Sequence, residues 1–139
     1  AIGRVSGGDE IGTAAAPLDP ELRDDPARVK VVLDDRGRAL YFSRAAIPAV
    51  RDAADLPGTG WWQHLGVYAY RREVLLRVAG MPPSRLELAE RLEQLRALAA
   101  GISIGVALLD QPAPPGIDTP DDLAGAESRW LELAAEASS

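Results

Sequence analysis

The sequence has no cysteine, one histidine (His64) and one lysine (Lys30). The lack of cysteine excludes disulfides, thiolate catalysis and cysteine-based zinc sites. A single histidine excludes a multi-histidine metal cage. No apolar run approaches the roughly 20 residues that a helix needs to cross a bilayer, and no secretory signal is visible. The chain therefore reads as reduced and cytoplasmic, with no membrane partner. Excess basic charge is missing too: 15 Lys and Arg stand against 21 Asp and Glu, a net charge of −6, which argues against a general nucleic-acid binder. Lys30 apart, every basic residue is arginine, whose planar fork suits two-point binding of carboxylates or phosphates.

What is present is a globular composition of one-domain length: 139 residues, of which 47% are apolar and 26% charged. Ile11 to Leu18 is small and apolar and reads as a buried strand, followed by a Pro/Asp-rich loop from Asp19 to Ala27. Arg28 to Asp34 and Arg38 to Ser43 read as two strands of a β-hairpin, turned at Asp35-Arg36-Gly37. Arg44 to Gly60, with Pro48, Pro57, Gly58 and Gly60, is mostly loop. His64 to Tyr70 alternates with aromatics as a strand does, and Arg72 to Val78 reads as a short helix.

Ser84-Arg85-Leu86-Glu87 after Pro82-Pro83 is a capping-box pattern, and Leu86, Leu88, Leu92, Leu95 and Leu98 continue it as a helical stripe up to Gly101. Ser103 to Leu109 is a further strand, and Gln111 to Gly116 a proline-rich loop. Thr119 caps a last helix, with Pro120 at its first position, Asp121 and Asp122 in its first turn, and Trp130, Leu131 and Leu133 as its apolar face. Strands and helices alternate, and the hairpin interrupts them, so an α/β fold with a mixed sheet is expected.

Five segments between Val29 and Leu123 carry a resemblance: VKVVLD (Val29–Asp34), ALYFSR (Ala39–Arg44) running on to IPAVRD (Ile47–Asp52), HLGVYAYR (His64–Arg71), PPSRLELAERLEQLR (Pro82–Arg96) and GIDTPDDL (Gly116–Leu123). In order and spacing they resemble the C-terminal half of the CMP-Kdo synthetase (3-deoxy-manno-octulosonate cytidylyltransferase) family. The resemblance implies a Rossmann-like nucleotide-diphosphosugar transferase fold, here partial, with residues 1–139 forming the sugar-binding and dimerisation half of one cytidylyltransferase domain. It implies activation of the acid sugar Kdo by CTP for lipopolysaccharide synthesis, with Mg²⁺ as cofactor and a homodimer as the assembly. The family's first half carries a basic Gly/Pro loop for the CTP phosphates and a Gln-Gly-Asp turn whose aspartate binds magnesium. This chain contains neither. Its nearest lookalike is Gly7-Gly8-Asp9-Glu10, before IGTAAAPL, and Asp9 reads as a loop residue.

The family's site residues are carried over position by position. Asp118 precedes the cap of the last helix. From the residues alone it reads as an Asx-type turn, whereas the resemblance makes it a catalytic magnesium ligand. Arg44 and Arg51 flank Ile47-Pro48, where the resemblance implies contacts to the Kdo carboxylate and hydroxyls. His64 and Tyr68 lie four apart on one strand and share a face with Tyr70. The resemblance makes that face a wall of the sugar pocket, while a lone histidine otherwise reads as a hydrogen-bonded structural residue. Glu93 and Gln94, beside the leucine stripe, would read sugar hydroxyls, whereas Glu87 and Glu90 read as an ordinary solvated helix face. Ala49-Val50 and Trp61-Trp62-Gln63 depart from the family pattern, so the particular acid sugar stays open. Two functions stay open as well: the sugar-binding half of a cytidylyltransferase, or a non-catalytic acid-sugar-binding or dimerisation module. Half of a continuous sheet is expected to fold poorly or to associate, because it leaves an unpaired edge and exposed apolar surface.

Overall fold

The computed structural model describes residues 1–55, 60–114, 116 and 119–137. The elements run α1 (Ile2–Ser6), β1 (Ile11–Leu18), β2 (Lys30–Leu33), β3 (Ala39–Ser43), β4 (Trp61–Tyr70), α2 (Arg72–Ala79), α3 (Arg85–Glu90), α4 (Gln94–Ala99), β5 (Ile104–Leu108) and α5 (Pro120–Ala137). The five strands form one mixed sheet in the order β3-β2-β4-β1-β5, with β1 and β5 parallel and the other pairs antiparallel. The hairpin, the strands and the mixed α/β character agree with the sequence reading.

β1 sits between β4 and β5 and is buried on both faces, which accounts for its run of small residues. One face receives α1 and the loop after it. A Cβ on Gly12 would lie 2.0 Å from the Ala1 carbonyl oxygen, and one on Gly105 would lie 2.0 Å from Asp9 Oδ2. Only glycine lets the backbone approach that closely. Asp9 is indeed in a loop, yet it is buried, with Arg4 Nε 2.8 Å from one carboxylate oxygen and Arg38 Nε 2.7 Å from the other. The hairpin turn reaches the edge of β5, where Val106 N–H donates to Gly37 O and Arg38 bridges to Gly105. That edge is thus partly paired from within the chain, in contrast to the free edge expected from the sequence.

The opposite face carries the core. Paired residues share a face, so Ile11, Thr13 and Ala15 of β1 point with Tyr70, Tyr68 and His64 of β4 and with Ile104 and Val106 of β5. Val74 of α2 and Leu95 and Ala97 of α4 close over them, with Phe42 of β3 fully buried alongside.

The single helix expected from Ser84 to Gly101 is instead two. α3 ends at Arg91, which takes a left-handed conformation (φ 56°, ψ 46°), and α4 starts at Gln94. In a straight helix, residues nine apart are separated by about 13 Å along the axis. The break lets Arg96 reach Glu87 with two hydrogen bonds of 2.9 and 2.7 Å. Leu92 and Leu95 turn into the core while Leu86 and Leu88 stay exposed. Glu87 and Glu90, expected to be solvated, are both engaged. Glu87 completes the capping box with Ser84, and Glu90 accepts from Ser43 Oγ and from Arg44 N–H. Ser84→Ala is expected to cost about 1 kcal/mol, read as a lower urea midpoint at unchanged slope.

α5 begins as its sequence indicates. Thr119 and Asp122 exchange cap hydrogen bonds of 2.9 and 3.1 Å. Its apolar face is another matter: Trp130, Leu131 and Leu133 are 72%, 68% and 61% exposed, and none of the described residues of this helix is buried. The face is apolar as read, but no other described element packs over it.

Candidate functional site: a cavity between the sheet and two helices

Between the core face of the sheet and the helices α2 and α4 lies a cavity of about 460 Å³. Its polar lining is Tyr68, Tyr70, Arg91, Glu93, Gln94 and Arg96, over an apolar base that includes Ile11 and Ile104. The strand side is set by an irregularity in β4. Thr13 pairs with Tyr68 while Ala14 pairs with Leu65, so Gly66 and Val67 are extra residues. The insertion preserves alternation, and His64, Tyr68 and Tyr70 remain on one face.

Aromatic contacts lock that row in place. Phe42 meets His64 edge-on at 4.8 Å, His64 meets Tyr68 at 5.5 Å, and Tyr68 meets Tyr70 at 5.8 Å. The helix side is set by the turn at Arg91, which places Glu93 and Gln94 at the start of α4.

His64 lies behind Tyr68 and is not among the residues lining the cavity. Its Nε2 is 2.9 Å from Thr13 Oγ1, and that hydroxyl is 2.6 Å from Val67 O. A hydroxyl has one proton. With that proton on Val67 O, Thr13 accepts, and His64 carries its proton on Nε2. Burial pushes the imidazole down to about 4, so it is neutral at neutral pH and serves structure. The sign of the resulting linkage is definite. Above about pH 6.5 the ring is neutral in both folded and unfolded chains, and below it the unfolded chain takes a proton that the folded one refuses. Stability is therefore lost as pH falls from about 6.5 towards 4, by roughly 3 kcal/mol in all. His64→Gln should flatten this part of the wild-type stability profile, measured by urea unfolding at several pH values.

Burial raises the Tyr68 phenol, with Tyr70 and the Glu93 charge adding to it, and burial together with Glu93 raises Tyr70. Both stay protonated donors. The cavity thus offers phenol donors, a carboxylate, an amide and two guanidinium groups. Arg96 is committed to Glu87, which leaves Arg91 as the cation better placed to meet a ligand anion. Such a set recognises a polyhydroxylated anion. Among the described residues lining the cavity none is an activated nucleophile.

The sequence-derived residues do not all converge. Tyr68, Glu93 and Gln94 meet in this cavity, with Tyr70. Arg44 and Arg51 do not line it. Arg44 spends its guanidinium on the backbone oxygens of Glu90, Pro26 and Arg91. Arg51 is exposed beyond the cis Ile47–Pro48 peptide, next to a second, more apolar cavity of about 430 Å³ formed by Pro20, Arg23, Pro48, Val50 and Trp61 among others. Arg91 was missed, because from sequence it is one surface arginine among many. Asp118 lies outside the described residues. Among the described residues no group of three or more His, Cys, Asp or Glu could hold a metal ion. No helix among them is long and apolar enough to cross a membrane.

The sequence profile of the family described as cytidylyltransferase matches residues 7–104. The chain belongs to the cytidylyltransferase family. Among its relatives, the 3-deoxy-manno-octulosonate cytidylyltransferase of Xanthomonas oryzae pv. oryzae is 52% identical over 130 residues, covering 88% of this chain and 50% of that protein. The enzyme of the same name from Gemmatimonas aurantiaca is 52% identical over 137 residues, covering 97% and 53%. A solved structure of CMP:2-keto-3-deoxy-manno-octonic acid synthetase complexed with CTP superposes with a TM-score of 0.85 at 36% identity, over 94% of this chain and 52% of that one. The chain thus has the fold of this cytidylyltransferase over its own length, and spans about half the length of the curated relatives it matches.

Proposed function

We propose that this chain is the acid-sugar-binding half of a 3-deoxy-manno-octulosonate cytidylyltransferase, and that residues 1–139 complete a single catalytic domain with a nucleotide-binding half. In the reaction, the anomeric hydroxyl of Kdo attacks the α-phosphorus of CTP, the bond to the β-phosphate oxygen breaks, pyrophosphate leaves and the hydroxyl proton is released. The observation that carries this reading is the cavity. It is large enough for an eight-carbon sugar and is lined by hydroxyl-reading groups and a free guanidinium. Relatives bearing that enzyme's name at 52% identity support it.

Glu93 accepts hydroxyl protons, the Tyr68 and Tyr70 phenols and the Gln94 amide donate, and Arg91 neutralises the sugar acid. A site that hydrogen-bonds a substrate hydroxyl disfavours analogues lacking it, since its polar groups are then left unpaired. Asp118 is our proposed magnesium carboxylate, in keeping with an ion that takes few protein carboxylates and many phosphate oxygens. When bound, magnesium would supply charge neutralisation on the triphosphate. Arg51, exposed beyond Pro48, is proposed as a further sugar contact, whereas Arg44, bonded to the backbone of Glu90, Pro26 and Arg91, is proposed to support the site from outside the cavity; a cytoplasmic homodimer is the proposed working form.

The test is turnover of the protein expressed from its own gene. Pyrophosphate release should require CTP, Mg²⁺ and Kdo together, and a neutral octulose without the carboxylate should not substitute. Release with the neutral sugar at an equal rate would remove the acid-sugar assignment.

A further inference from the structure

Lys30 is the only lysine of the chain, and its side chain is completely buried. No carboxylate stands within ion-pair distance among the described residues. Its ammonium instead donates to three backbone carbonyls: Asp25 O at 2.9 Å, Arg28 O at 2.5 Å and Arg44 O at 2.6 Å. Three N–H donors meet three acceptors, so the ammonium is fully satisfied. A buried cation is costly unless it is bonded in this way, and a neutral lysine surrogate would leave three carbonyls short of a partner.

Two of the acceptors, Asp25 and Arg28, lie in the loop between β1 and β2, and the third belongs to Arg44, just after β3. Arg44 continues the connection outward. Its guanidinium bonds to Pro26 O, back on the first loop, and to Glu90 O and Arg91 O at the end of α3. Glu90 returns the tie by accepting from Ser43 Oγ and the Arg44 N–H. An unbroken set of hydrogen bonds thus runs from Lys30 to the left-handed turn at Arg91, and Glu93 and Gln94, two and three residues further on, line the cavity. A non-glycine residue in that conformation is strained and persists only where its surroundings hold it.

We propose that Lys30 is a positioning residue for the acid-sugar cavity, fixing through Arg44 the turn at Arg91 that presents Glu93 and Gln94. It touches no substrate and acts only through the backbone it holds. The functional half of this proposal rests on the acid-sugar reading above, whereas the mechanical half does not.

The test uses Lys30→Met, which keeps the length and removes the donors, with Lys30→Arg as the conservative partner. Amide hydrogen exchange is followed in both, without ligand. In Lys30→Met, exchange at residues 45–50 and 91–94 should rise at least about tenfold while the interiors of β1 and β4 keep their protection, and Lys30→Arg should restore part of the difference. In turnover assays the KM for Kdo should rise at least about tenfold and the KM for CTP should change less than twofold. Unchanged exchange at residues 91–94, or a parallel rise of both KM values, would overturn the proposal. Should the wild type not use Kdo at all, the acid-sugar reading falls and the exchange data alone decide the positioning role. Should Lys30→Met not fold, the wild type still decides. In ¹⁵N-lysine-labelled protein the ammonium signal that is absent from Lys30→Arg belongs to Lys30, and it is expected to be protected and coupled to three carbonyls. A signal exchanging like that of a free amine would refute the arrangement.

Discussion

Replacing Glu93 and Gln94 together by alanine is expected to weaken Kdo binding by about 100-fold or more, with the fold intact. In the proposed site each side chain would hydrogen-bond sugar hydroxyls, and a bond to a charged group is worth about 1.5–3 kcal/mol. The loss should be selective because neither residue supports the structure. Glu93 stands at the N-cap position of α4 without a side-chain cap bond, and the described hydrogen bonds assign neither side chain a structural partner. Alanine also favours the helix. Calorimetric titration with Kdo, beside the thermal midpoint of the same sample, separates the two effects. A midpoint lowered in step with the affinity would mean that the pair is structural.

Gly105→Ala is expected to destabilise the protein by about 3 kcal/mol or more. The added Cβ would lie 2.0 Å from Asp9 Oδ2 and 2.5 Å from Arg4 Nε. Asp9 cannot swing aside cheaply, since Arg4 and Arg38 hold its two oxygens and its side chain is 7% exposed. Either the core is overpacked, at about 1–3 kcal/mol, or the carboxylate is driven out and two arginines lose a largely buried partner. Gly66→Ala is the matched control. A Cβ there meets nothing within 4 Å, and its effect should be close to zero. Equal midpoints for the two variants in urea unfolding would contradict the packing described here.

The strands along the chain and the hairpin were legible in the sequence because local signals and tertiary demands agree there. IGTAAAPL is small because both faces of β1 are covered, and Asp35-Arg36-Gly37 turns where Gly37 needs a positive φ of 76°. The capping box was legible for the same reason. The break after α3 was not. Its leucines keep helical spacing across Arg91, and what ends the helix is a set of long-range bonds, Glu90 to β3 and Glu87 to Arg96, that no local pattern encodes. The same bonds explain why Glu87 and Glu90 are not the solvated residues that their spacing suggests.

The candidate site divides in the same way. Tyr68, Tyr70, Glu93 and Gln94 could be brought together from sequence through a family resemblance and strand parity, and they do line one cavity. Parity held because the irregularity opposite Thr13 adds two residues, which an odd insertion would not have allowed. Arg91 and the buried Lys30 escaped notice, since a lone arginine in a helix and a lone lysine in a strand carry no signal of burial or of a neighbouring pocket.

An acid sugar is proposed to occupy the cavity beside Tyr68 and Tyr70. The chain has three tyrosines, and only Tyr41, on the hairpin, lies away from the cavity. Ring-labelled tyrosine NMR during a Kdo titration tests the claim most directly. The account predicts saturable shifts of the Tyr68 and Tyr70 ring signals at one common Kd, with Tyr41 unmoved. Turnover of Kdo with no shift of either signal would contradict it.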